Sequence, residues 1–202
     1  MKNLIIDTSS EYCMLGVAEG GALIKHTLFL HENCLSRSLL PEISTLLDKV
    51  ELPLKSIAQI SVGVGPGSYT GTRVGVAVAK SLSFGLNIPL RGFCSLVVFL
   101  PPCYGRFASI LPAKSGQFFI LKGEKTKNRI TLDRTHLISK SKLQEEIKNV
   151  DFVTAKKGED LKTIKAFFPF EPQVENVACA LRSPPKFPFE IDARLIYLHT
   201  PD

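Results

Sequence analysis

The chain has 202 residues, 45% of them hydrophobic and 22% charged, with a formal net charge of +6. That balance suits one or two small globular domains and excludes a disordered or low-complexity chain. No apolar run reaches the ~18 residues of a membrane span, and the opening Met-Lys-Asn-Leu-Ile-Ile-Asp meets an acid too early for a signal-peptide core, so a cytoplasmic protein without a membrane partner is expected.

Residues 3–6 form a short apolar run closed by Asp7-Thr8-Ser9-Ser10, read as a buried strand and a polar turn. Residues 12–18 and 22–30 are two more strands around Glu19-Gly20-Gly21, so the sheet opens antiparallel. Leu39, Leu40, Ile43, Leu46, Leu47 and Val50 then keep a helical period. Pro41 fits the first turn if Ser38 is the cap; an earlier start would put a kink there. A fourth strand at 59–64, a helix at 72–84 and a fifth strand at 90–93 follow. A third helix after Cys94-Ser95 is cut short by Pro101-Pro102.

Beyond Cys103, residues 107–111 and 117–122 read as paired strands around Lys114-Ser115-Gly116, and 129–132 as a third. Residues 141–148 read as a helix with Ser141 and Gln144 as a capping box, 151–154 as a strand and 159–167 as a helix. After Phe168 the chain is rich in proline, and Pro184, Pro185 and Pro188 oppose long helices. The five cysteines (Cys13, Cys34, Cys94, Cys103, Cys179) are odd in number with no C-x-x-C pair, which argues against a disulfide framework or zinc ribbon. Cys13, Cys94 and Cys179 are expected to be buried. His26, His31, His136 and His199 make no metal-binding pair. Between Lys114 and Lys165 there are thirteen Lys and Arg against seven Asp and Glu. Such a surplus could attract RNA or simply be a solvated face.

The chain is organised around Ile60-Ser-Val-Gly-Val-Gly-Pro-Gly-Ser-Tyr-Thr-Gly-Thr-Arg-Val-Gly-Val-Ala-Val-Ala-Lys80. It joins a strand, a Gly65-Pro66-Gly67 turn and a helix that Ser68 or Thr70 can cap. A glycine-rich turn before a helix can cradle an anion, although neither Walker A nor G-x-G-x-x-G spacing is present. Ser68 is not in a Gly-x-Ser-x-Gly elbow, which argues against a hydrolase. Gly71, Gly75, Ala79 and Ser83 share one helix face, which calls for close backbone approach, either by the domain's own elements or by a partner's helix.

Gly63 to Gly75, Ala79-Lys80, Ile88-Pro89-Leu90, Ile5-Ile6-Asp7-Thr8-Ser9 and Ser38-Leu39-Leu40-Pro41 together resemble the TsaB family, formerly YeaZ. The likeness is strong over the first hundred residues and thin afterwards. It implies an α/β protein of the actin-like ATPase (ASKHA) fold, with a first lobe of β-β-β-α-β-α-β-α order over residues 1–102 and a reduced second lobe over 103–202. It further implies an inactive paralogue of TsaD, a scaffold that pairs with TsaD for N6-threonylcarbamoylation of adenosine 37 in tRNAs reading ANN codons. The expected partners are a TsaD-like catalytic subunit and a TsaE-like ATPase, with tRNA engaged indirectly and a homodimer as a further option.

The expected interface joins Leu39, Leu40, Ile43 and Leu47 of the first helix to Gly71, Arg73, Gly75 and Ala79 of the second. A large residue at Gly75 or Ala79 is then expected to abolish pairing while sparing the fold. A nucleotide or anion loop would comprise Asp7, Thr8, Gly65, Gly67, Ser68 and Thr70. The expected cofactor is none bound by the chain alone, with ATP or ADP and Mg²⁺ at a subunit boundary as the other option. Two departures favour a silent reaction centre. Ser95 and Phe99 stand where TsaD carries two metal-binding histidines, and Ala113-Lys114-Ser115-Gly116 lacks the acid of a second-lobe ATPase turn. Two alternatives remain from the sequence: an ATP-hydrolysing enzyme of the actin-like class working through Asp7, and a basic tRNA-binding module.

Overall fold

The computed structural model describes residues 1–30, 35–127, 129–156, 167–170 and 173–182. Its first sheet has the order β3-β2-β1-β4-β5, from β1 (Lys2–Asp7), β2 (Tyr12–Glu19), β3 (Ala22–Leu30), β4 (Gln59–Gly63) and β5 (Leu90–Phe93). The first three strands pair antiparallel, whereas β4 and β5 add parallel to β1. Parallel pairing needs a crossover, and the two crossovers are α1 (Leu35–Asp48) and α2 (Tyr69–Leu86). Both helices cover one face of the sheet, where Leu4, Ile6, Leu15, Ile60 and Val62 meet Leu39, Ile43, Leu46, Leu47, Val76 and Ala79.

The second sheet runs β11-β10-β6-β7-β8, from β6 (Gly105–Pro112), β7 (Gln117–Lys125), β8 (Ile130–Leu132), β10 (Phe152–Lys156) and β11 (Phe167–Phe170). β9 (His136–Ser139) pairs with the first half of β7, leaving the second half to β8. α3 (Lys140–Glu146) packs beside β7 and β9. The other face of the first sheet supplies Ile5, Met14 and Ala18 to a second core, shared with Phe107, Leu121 and Ile130 of the second sheet. Between them lie a 3-10 turn (Ser95–Phe99) and α4 (Val174–Arg182), so the boundary between the two sheets is a continuous apolar core.

Several local expectations change. α1 begins at least by Leu35, so Pro41 lies inside the helix; Pro41 and Arg37, the residue four before it, are both exposed, where a missing helical bond costs least. The third helix is reduced to the 3-10 turn. α3 starts at Lys140, and its cap Ser139 makes no side-chain cap bond, so the capping box at Ser141 does not form. β9 was not legible, because His136-Leu-Ile-Ser139 is too short for a periodic signal. Of the helix expected over 159–167, residues 159–166 lie outside the described residues, while Phe167 opens β11. α4 fits before Pro184 and was missed. Cys13 is buried, Cys94 half-buried and Cys179 exposed, because α4 buries one side only and Cys179 is on the other.

α2 sits unusually close to the end of β1. Thr8 Oγ1 donates to the Gly71 carbonyl at 2.7 Å, and a Cβ at Gly71 or Gly75 would collide with the Thr8 carbonyl or Thr8 Oγ1 respectively. The small-residue face therefore serves the chain's own packing. This corrects the expectation that a large residue at Gly75 spares the fold. Gly75→Leu should lower stability by about 3 kcal/mol, at the upper end of overpacking costs, seen as a lower urea midpoint; an unchanged midpoint would show that α2 can lift from Thr8 freely.

Candidate functional site

The turn at residues 64–68 leads from β4 into α2 and faces the loop that closes β1. Gly65 and Gly67 have φ of +95° and +158°, and a Cβ on Gly67 would strike the Ser9 carbonyl, so glycine is required there. Ser68 caps α2: its Oγ accepts from the Gly71 amide at 3.2 Å, and its own amide donates to the Ser9 carbonyl at 2.6 Å. The Thr72 amide and hydroxyl both donate to the Ser68 carbonyl. Of the donors that could hold an anion at this helix start, the Ser68 and Gly71 amides are thus engaged within the chain. Tyr69 and Thr70 are exposed beside the turn.

Asp7 and Thr8 are buried beneath this turn, at 4% and 0% exposure. Asp7 Oδ1 accepts from the Ser9 amide at 2.8 Å, while Oδ2 has no hydrogen-bond partner among the described residues. Gly63 and Ser95 wall that oxygen in: a Cβ at Gly63 would meet the carboxylate and Ser95 Oγ. Burial pushes the Asp7 carboxyl above its ordinary value, against the opposing effect of the Ser9 amide and of the nearby Ser9 and Ser95 hydroxyls. A Mg²⁺–nucleotide needs an ionised, accessible carboxylate and free amides. A sealed Asp7, an Ser68 amide given to Ser9 and a Thr8 hydroxyl given to Gly71 do not fit that group. Cys13 and Cys94 are weak nucleophiles, since burial pushes their thiols up to about 12 and about 11.

A carboxyl whose folded value is raised stabilises the fold only at pH below its unfolded value, and that contribution disappears as pH rises through the folded value. Asp7→Asn keeps the bond from Ser9 and removes the buried charge. The variant should melt about 2–8 °C higher than the parent at pH 7.5, with the difference shrinking toward pH 4. A lower melting temperature at pH 7.5 would mean that the ionised carboxylate is stabilised by something the chain itself does not provide.

The residues expected at a partner interface divide in two. Leu39, Ile43, Leu47, Gly71, Gly75 and Ala79 are buried inside the chain, because the apolar stripe of α1 and the small stripe of α2 both face the sheet. Only Leu40 and Arg73 are exposed. The outer face of α2 carries Tyr69, Arg73, Ala77, Ser81 and Phe84, with Arg73 stacked 3.6 Å from the Tyr69 ring centroid and Phe84 90% exposed. Val74, Val78 and Leu82 are half-buried along its margin, and Leu40 on α1 is half exposed. Tyr69, Ala77 and Phe84 share that exposed face and were not singled out from the sequence. Their spacing of eight and seven residues, two helical turns each, was available in the sequence, but a glycine stripe on the opposite side is the stronger signal.

On the second sheet, Lys122 Nζ donates to Glu146 Oε2 at 2.6 Å, with His136 Nε2 at 3.7 Å from the same oxygen. The Lys122 hydrogen bond holds Glu146 below its ordinary value. Lys114, Lys127, Arg129, Lys140, Lys142 and Lys148 are exposed, but Glu124, Asp133 and Glu145 are interspersed among them.

A family profile described as TsaD, tRNA N6-adenosine threonylcarbamoyltransferase, matches residues 31–153. The chain is 28% identical over 174 residues to the tRNA threonylcarbamoyladenosine biosynthesis protein TsaB of Buchnera aphidicola subsp. Schizaphis graminum, a match covering 80% of each chain. It is 36% identical over 99 residues to the TsaB of Bacillus subtilis, covering 48% of this chain and 42% of that one, and 26% identical over 135 residues to the TsaB of Escherichia coli, covering 64% and 58%. The fold matches YeaZ from Pseudomonas aeruginosa with a TM-score of 0.79 and 20% identity, over 98% of this chain and 99% of that one. The two-lobed α/β architecture is that of the actin-like ATPase fold. The chain belongs to the family described as TsaD, tRNA N6-adenosine threonylcarbamoyltransferase, and within it to the TsaB, or YeaZ, group.

Proposed function

We propose that the chain serves the biosynthesis of threonylcarbamoyladenosine in tRNA as a non-catalytic subunit that pairs with a TsaD-like protein. Relatives named for that pathway support the pathway. The observation that carries the non-catalytic role is Asp7, the one carboxylate at the end of β1, sealed beneath Gly63 and Ser95 instead of lining a cleft. Ser95 and Phe99, at the positions where the resemblance places metal-binding histidines, are buried at 2% and 3% exposure, and Phe99 has no ligating atom.

Docking uses the outer face of α2 with Leu40 of α1. Phe84 and the Tyr69–Arg73 stack are anchors of the kind that dominate interfaces, and the half-buried valines beside them add apolar area at ~25 cal/mol per Å² before the costs of association. The same face could pair two copies of the chain when the partner is absent, and a TsaE-like ATPase would join the pair without a nucleotide site of this chain's own.

Two outcomes are expected. Phe84→Asp should lose co-elution with a TsaD-like partner, weakening binding by about 100-fold or more, while its urea midpoint stays within error of the parent. Co-elution unchanged in Phe84→Asp combined with Arg73→Glu would exclude this face. The isolated chain should also show no ATP turnover and no melting shift with Mg²⁺–ATP. Turnover that disappears in Asp7→Ala would instead establish the actin-like enzyme.

A further inference from the structure

The segment joining the two sheets ought, in a β-β-β-α-β-α-β-α lobe, to contain a third helix. Pro101-Pro102 limits it to the five-residue turn Ser95–Phe99. So short a helix leaves its final carbonyls without partners along their own chain. Val98, Phe99 and Leu100 are 4%, 3% and 0% exposed and Pro101 is buried, so bulk water cannot serve these carbonyls either.

Each of the four is taken by a donor from elsewhere. The Val98 carbonyl accepts from the Gln173 amide at 3.0 Å and from Asn176 Nδ2 at 3.2 Å. The Phe99 carbonyl accepts from Ser109 Oγ at 3.2 Å and from Thr154 Oγ1. The Leu100 carbonyl accepts from Asn176 Nδ2 at 3.1 Å, and the Pro101 carbonyl from Lys125 Nζ at 2.7 Å. The donors come from β6, β7 and β10 of the second sheet and from α4 with the residue before it. At its other end the connector is tied to the first sheet's glycine turn: the Ser95 amide donates to the Gly65 carbonyl at 2.8 Å, and the Gly65 amide donates to Ser95 Oγ at 3.1 Å.

We propose that residues 95–101 form a clamp, with Asn176 of α4 as its clasp, that joins the two sheets into one cooperative unit with no hinge between them. Asn176 is the member on which closure depends most, since it alone spans two carbonyls and is the sole donor to Leu100 among the described residues. Thr154 is backed up by Ser109 at the same carbonyl. The apolar core around the connector, with Val174, Val177 and Ala178 of α4 against Leu96 and Phe107, keeps water out of these bonds. The proposal is independent of the docking face on α2, which lies across the first sheet.

Hydrogen exchange on the full chain, followed by mass spectrometry in 0–2 M urea, tests it. In the parent protein, peptides covering 95–101 and α4 should exchange as slowly as those of β4 and β6, within about threefold. Asn176→Leu should accelerate exchange in 95–101 and α4 by about 30-fold, with β4 and α2 unchanged. Thr154→Ser, which keeps the hydroxyl, should stay within about threefold of the parent, whereas Thr154→Val should show a smaller acceleration in the same peptides. A parent connector that exchanges at least tenfold faster than both sheets would reveal a hinge and overturn the proposal. So would an Asn176→Leu protein exchanging like the parent. If Asn176→Leu does not fold, the Thr154→Val and Thr154→Ser pair decides: equal rates in 95–101 contradict the clamp.

Discussion

The contact between the end of β1 and the first two turns of α2 governs this structure. Thr8 reaches the Gly71 carbonyl, the Ser9 carbonyl takes the Ser68 amide, and glycines at 71 and 75 let the backbone approach to that distance. The same contact closes the place where an actin-like lobe would present an acid and a phosphate-binding turn. Close packing of α2 and the burial of Asp7 therefore have one physical origin. Thr8 and Ser9 are partners of the helix start, and the Asp7 carboxylate beneath them is left desolvated.

That inward seating also decides which surface the chain offers. A helix pressed against its own sheet with its small face can meet another protein only with its opposite face. On α2 that face has Tyr69 and Arg73 at one end and Phe84 at the other. The second sheet adds rigidity through the shared apolar core and the connector between the sheets. The docking proposed for α2 gains from such stiffness, since a face that does not move loses little entropy when a partner binds.

The fold was largely legible in the sequence where periodicity is long. The hairpins through β3, the crossovers α1 and α2 and the turn at Gly65–Gly67 all left clear patterns of alternation, helical spacing and glycine punctuation. The direction of the glycine stripe was not legible, because close approach by Thr8 of the same chain and close approach by another subunit require the same residues. Leu39, Ile43 and Leu47 posed the same ambiguity: an apolar stripe reveals that something covers it, not what. β9 and α4 were missed for a different reason. Their four and nine residues gain stability from tertiary partners, β7 for one and the connector core for the other, and local propensity carries little of that. The Asn176 bonds to Val98 and Leu100 span more than seventy residues and leave no local trace.

The central claim is that α2 turns its glycines inward and its aromatic face toward a partner. It is tested most directly by hydrogen exchange and cross-linking footprints of the chain with and without a TsaD-like protein. New protection and cross-links should fall on Tyr69, Arg73, Phe84 and Leu40. A footprint confined to the second sheet, with α1 and α2 unchanged, would contradict it.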